Sequence, residues 1–130
     1  MECPMDELQK IMSRDNSRLI AARRVRDGHG TGQMFVEGRR LAFEALRSDI
    51  EVSECFISER FADSKENGVL IRSALEVSRF VFELPDRVFR TIAATDNTQG
   101  IVLIGERPGN GAKRIEDAIR ISEKMRLVVL

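Results

Sequence analysis

Arg39 and Arg40 stand side by side directly after Gly38, where a short apolar run, residues 34–36, gives way to a helical pattern. Over residues 39–46, Leu41, Ala42, Ala45 and Leu46 fall on one face at helical spacing. Gly38 lets the backbone reverse sharply between strand and helix. The first turn of a helix leaves backbone N–H groups without partners, and these already favour anions. An arginine at that position opposes the helix dipole. Two of them together point to a gain elsewhere. The guanidinium fork matches phosphate oxygens, so phosphate binding is the first chemistry the sequence suggests.

The chain has 130 residues and a formal net charge of zero, so global charge indicates no polyanionic partner. Its distribution is more informative. Residues 14–40 carry seven arginines against Asp15, Asp27 and Glu37, a local +4 that leaves −4 for the rest. A neutral protein can still hold a phosphate-binding face of this kind. Within that stretch, residues 17–26 read as a helix, with Leu19, Ile20 and Val25 inward and Arg18, Arg23, Arg24 and Arg26 largely outward. The arginine face reads equally as a solvated surface and as an extension of the phosphate site. There are seven Phe and no Trp or Tyr, so any base stacking falls to Phe or to arginine planes.

Other chemistries find little support. Gly28, Gly30 and Gly32 follow a helix and open a strand, the reverse of a dinucleotide-binding loop, so they read as a connector. His29, the one histidine, lies in that connector with no partner near it in sequence. Cys3 and Cys55 are too few for a disulfide framework and lack metal-ligand spacing; Cys55 reads as buried packing. Glu37, Glu44 and Glu83 fall on separate elements, and nothing pairs them as acid and base. The chain alone is expected to turn over no substrate and to hold no catalytic residue, metal or cofactor. No apolar run approaches the roughly 20 residues of a membrane span. The N-terminus has no signal-peptide pattern, so a cytoplasmic location without membrane contact is expected.

The elements that must position these residues follow from the pattern. Residues 6–12 read as a short helix capped by Asp6, and residues 13–16 supply further caps. After the helix at 17–26 come a strand centred on 34–36, the helix at 39–46 and a strand at 51–58. A polar turn at 63–68, a helix at 70–77 and a strand at 79–84 follow. Pro85, at a favoured first helical position, opens residues 86–92 with Val88, Phe89 and Ile92 inward. A polar loop at 93–98 leads to a strand at 99–105, apolar enough to be central. The alternation predicts an α/β fold, a three-layer α/β/α sandwich around a small, mostly parallel or mixed four-stranded sheet. Most strands are continuous apolar runs, as expected when both faces are covered. Residues 108–112 read as a linker, 114–125 as a charged helix and 126–130 as a new strand.

Ser13-Arg14-Asp15-Asn16, the arginine-rich helix, Phe35-Val36-Glu37-Gly38-x-Arg40-Leu41 with Glu44-Ala45-Leu46, and Gln99-Gly100-Ile101 together resemble a known pattern. It is that of the N-terminal substrate-binding domain of SpoU/TrmH-type RNA 2′-O-ribose methyltransferases, over about residues 13–106. The resemblance implies a fold similar to kink-turn-binding ribosomal proteins, joined to a separate knotted domain that binds S-adenosylmethionine. It divides the chain into an N-terminal extension (1–12), an RNA substrate-binding domain (13–106), a linker and helix (107–125), and the first strand of a truncated methyltransferase domain (126–130). By position it points to Glu37, Gly38, Arg39 and Arg40 and to Thr95, Asn97, Thr98 and Gln99 as RNA-binding residues. Asn16, Arg18, Arg23, Arg24 and Arg26 complete that set. The implied partner is structured RNA, rRNA first and tRNA second, with a homodimer formed through the missing domain. A stand-alone ribosomal-protein-like RNA-binding adaptor and a dimerisation module are the alternatives.

Overall fold

A computed structural model describes residues 8–30 and 32–106. In chain order the elements are β1 (Leu8–Lys10), α1 (Ser17–Arg26), β2 (Gln33–Glu37), α2 (Arg39–Leu46), β3 (Glu51–Ser58) and α3 (Glu59–Asp63). A single 3-10 turn (Lys65–Asn67), α4 (Gly68–Val77), β4 (Phe80–Leu84), α5 (Asp86–Phe89) and β5 (Ile101–Glu106) complete them. The five strands form one sheet in the order β1-β4-β3-β5-β2. The pairs β1–β4 and β4–β3 are parallel; β3–β5 and β5–β2 are antiparallel. Four strands therefore point the same way, and β5 alone runs back between two of them.

The sheet is buried on both sides, and alternation along its strands feeds two cores. Val52, Cys55 and Ile57 of β3 join Ile101 and Leu103 of β5 beneath Ala42, Ala45 and Leu46 of α2 and Leu70 and Ala74 of α4. Phe56, Phe82, Val102 and Ile104 face the other way, against Leu19, Ala22 and Val25 of α1 and Val88 and Phe89 of α5. This is the three-layer sandwich expected. Cys55 is a free, fully buried thiol, and burial raises its pKa well above the ordinary 9.0. It is packing, not chemistry. Among the described residues no helix is long and apolar enough to cross a membrane.

Three expectations are corrected. The sheet has five strands, because Leu8–Lys10, expected within a helix, is extended and pairs with Val81–Glu83. The open edge of β4 supplies backbone partners there, and Ile11 N–H continues the ladder to Glu83 O at 3.0 Å. The sheet is mixed, within the mostly parallel or mixed arrangement expected. From Leu84 the chain passes through α5 and the loop of residues 90–100 and re-enters at Ile101 from the edge it left, so β5 runs antiparallel to β3 and β2. On α1, Ala22 rather than Ile20 joins the core; Ile20 is exposed. Pro85 lies just before α5, with its φ and ψ at −56° and 149°, and the helix ends at Phe89 while Ile92 is still buried. The expectations for Cys3, the Asp6 cap and residues 107–130 fall outside the described residues.

Candidate nucleic-acid interface

Because β1, β2, β3 and β4 point one way, their carboxyl ends share one edge of the sheet, together with the start of β5. In open α/β sheets, ligands favour this edge. Three strand-to-helix corners lie on it: Glu37-Gly38-Arg39, Ser58-Glu59-Arg60 and Leu84-Pro85-Asp86. The loop of residues 93–100, leading into β5, closes the edge.

At the first corner Gly38 has φ +108°, a conformation that only glycine adopts easily. Its N–H donates to Ile101 O at 3.1 Å, and its carbonyl receives the first helical bond from Ala42 N–H at 2.9 Å. Glycine has no side chain to cap the helix. Gln99 does so from across the edge, its Oε1 accepting from Arg39 N–H at 2.7 Å. Arg39 reaches to 3.6 Å from Glu66, with both side chains largely in water (46% and 77% exposed). Such a pair contributes roughly 0.2–1 kcal/mol and is readily exchanged for a ligand. Arg40 is exposed and has no ion-pair partner among the described residues.

An open cleft of about 390 Å³ lies alongside, lined by the second and third corners and the loop. Ser58, Asn67 and Gly100 line it with Arg60, Arg90 and Asn97. Arg60 and Arg90 are exposed, and neither has an ion-pair partner among the described residues. The Asp86 carboxylate is tied to the backbone, its Oδ1 accepting from Arg60 N–H at 3.2 Å. Ser58 Oγ accepts from Phe61 N–H at 3.1 Å and caps α3. Asn67 Nδ2 donates to Phe61 O at 3.1 Å, while its buried Oδ1 lacks a protein partner. No histidine or cysteine lines this cleft. Among the described residues no group of three potential metal ligands is present.

The expected site residues separate into two groups. Gly38, Arg39, Arg40, Thr95, Asn97, Thr98 and Gln99 share this edge with Glu37. Within it Thr98 Oγ1 accepts from Gly100 N–H at 3.2 Å, whereas Thr95 and Asn97 are exposed. The α1 residues mostly have intramolecular duties. Asn16 caps that helix, accepting from Arg18 N–H at 2.8 Å. Arg18 pairs with Glu54 and lies over Phe80 and Phe82, 4.5 and 5.0 Å from the ring centres. Arg23 donates to Thr91 Oγ1 and to Arg14 O. Arg26 donates to both Asp27 oxygens and to Thr91 and Ala93 carbonyls. Arg24 is exposed. Arg60 and Arg90 escaped sequence reasoning. Their signal was positional: Arg60, like Arg39, is the second residue past the carboxyl end of a strand, and Arg90 ends the short helix that follows β4.

Residues 15–103 match the family described as the MRM3-like substrate binding domain. No curated protein matches. Among solved structures, the fold is similar to an rRNA methyltransferase from Sinorhizobium meliloti, with TM-score 0.62, 20% identity, and coverage of 80% of this chain and 39% of that one. Its AdoMet-bound form gives 0.61 at 20% identity, covering 80% and 38%. An RNA 2′-O ribose methyltransferase gives 0.60 at 20% identity, covering 80% and 40%. The chain thus spans about two fifths of the length of these proteins. With the family's pattern running through more than half its length, and on the fold those structures share, this chain belongs to the MRM3-like substrate binding domain family.

Proposed function

We propose that this chain is the RNA substrate-recognition domain of an S-adenosylmethionine-dependent RNA 2′-O-ribose methyltransferase acting on rRNA. The observation that carries the reading is the gathering of Arg39, Arg40, Arg60 and Arg90 at one sheet edge with no strong ion pair to satisfy them among the described residues. Membership of a substrate-binding family and likeness to RNA methyltransferase folds give that edge its partner. Guanidinium forks bind phosphate oxygens by paired, charge-assisted hydrogen bonds and fix the register of a folded RNA. The edge thereby presents a chosen ribose to chemistry carried out elsewhere in the protein.

S-adenosylmethionine does not fit this cleft. An adenine needs an apolar slot, and the two aromatic liners, Phe61 and Phe89, are only 3% and 1% exposed. On this reading methyl transfer falls to protein outside the described residues, and the 130-residue chain alone is expected to transfer no methyl group. Incorporation of labelled methyl by this chain into rRNA would contradict that assignment.

The binding test is direct. Arg39→Glu/Arg40→Glu in the full chain should weaken binding to a structured rRNA fragment at least tenfold at low salt, with an unchanged urea midpoint. Unchanged affinity would exclude this edge.

A further inference from the structure

Glu37 is out of place on a surface meant for a polyanion. Its carboxylate lies two residues from Arg39, where a negative charge repels phosphate. Its hydrogen bonds explain its presence. Oε1 accepts from Ala94 N–H at 2.9 Å, and Oε2 lies 3.4 Å from Thr95 Oγ1. Both partners belong to the loop before β5, 57 and 58 residues away.

That loop has little else to hold it. Among the described residues, no backbone–backbone hydrogen bond outside the helices and strands is donated by residues 93–99. Side chains do the work instead. Arg26 grips the entry through Thr91 O and Ala93 O, Glu37 holds Ala94 and Thr95, and Gln99 anchors the exit on Arg39 N–H. Between these clamps Asp96 and Asn97 stay exposed at the cleft. An unclamped loop would lose conformational freedom on binding, and the clamps remove that penalty in advance.

We infer that Glu37 is a positioning residue: through Ala94 and Thr95 it fixes the loop of residues 93–99 in its RNA-receiving shape, and it does not itself contact RNA. This rests on the RNA-binding reading above. The charge of Glu37 is then incidental and its reach essential. Glutamine retains the reach, with an oxygen for Ala94 N–H, but lacks the charge. Aspartate retains the charge but is one methylene too short.

The test compares Glu37→Gln, Glu37→Asp and Glu37→Ala in the full chain, reading affinity for a structured rRNA fragment and amide hydrogen exchange at Ala94. The expected result is Gln within threefold of wild type in both, and Asp and Ala about tenfold weaker in affinity with faster exchange at Ala94. Equal affinity for Ala and wild type overturns the inference, as does aspartate outperforming glutamine. If Ala does not fold, the Gln–Asp pair decides alone. Absence of binding by wild type itself would instead overturn the RNA-binding reading, whereas binding by wild type with no effect of Ala would overturn only the role of Glu37.

Discussion

Arginines of identical chemistry have two fates in this chain, set by what lies within reach. Arg18 finds Glu54 and two phenylalanine rings; Arg26 finds Asp27 and two carbonyls. Arg40, Arg60 and Arg90 are exposed and have no ion-pair partner among the described residues. From the sequence, the α1 arginines read as one basic face. Nothing local reveals that Glu54, 36 residues on, and Thr91, 68 residues on, lie beneath them. One consequence is measurable. Hydrogen bonding to Arg26, aided by its charge, holds the Asp27 carboxyl below the ordinary 3.8. Because the folded pKa is the lower one, any stabilisation is present above about pH 3.8 and lost as pH falls through the folded value. A carboxyl titration by NMR should place Asp27 below 3.8, and Arg26→Ala should bring it back; a wild-type midpoint at or above 3.8 contradicts the pairing.

Elements were legible where local signals agreed. The corner β2–Gly38–α2 is as the sequence predicts because an apolar run, a glycine and a helical stripe all point to it. Strand β3 matches its expected limits for the same reason. The failures lie where a distant partner decides. β1 is a strand because β4 offers an open edge. Two glycines test this level. At Gly100, φ is +92° and an added Cβ would sit 2.6 Å from Ser58 Oγ and 3.1 Å from Phe61 Cβ. Gly100→Ala should therefore destabilise by about 2–3 kcal/mol in urea unfolding. Gly38 meets only Gln99 Oε1, at 3.2 Å, so Gly38→Ala should cost about 1–2 kcal/mol and loosen the cap on Arg39 N–H. Gly38→Ala proving the more damaging of the two would contradict this ranking. Replacing the cap Asn16 by Ala should remove about 1 kcal/mol; no change would mean the helix start is held by other contacts.

The described residues form a doubly covered sheet with one candidate RNA-binding edge. Its two cores share β3 and β5, so a cavity in either should unsettle both. Phe56 is fully buried and stacks on Phe82 with ring centres 5.5 Å apart. Phe56→Ala should cost about 3–5 kcal/mol, read as a lowered urea midpoint. Zero net charge concealed this edge from composition, because acids along the chain, Glu37, Asp86 and Asp96 at the edge among them, balance the arginines. The central claim is that arginines at the carboxyl ends of the strands hold RNA phosphates. The most direct measurement is the salt dependence of binding to a structured rRNA fragment, since each neutralised phosphate adds about 0.7–0.9 to the slope of log affinity against log salt. Replacing Arg39, Arg40, Arg60 and Arg90 by Ala should flatten that slope by about three, whereas replacing the exposed Arg47 and Arg79 at the opposite edge should leave it unchanged. An unaltered slope in the fourfold variant, or an equal loss in the control, would contradict the account.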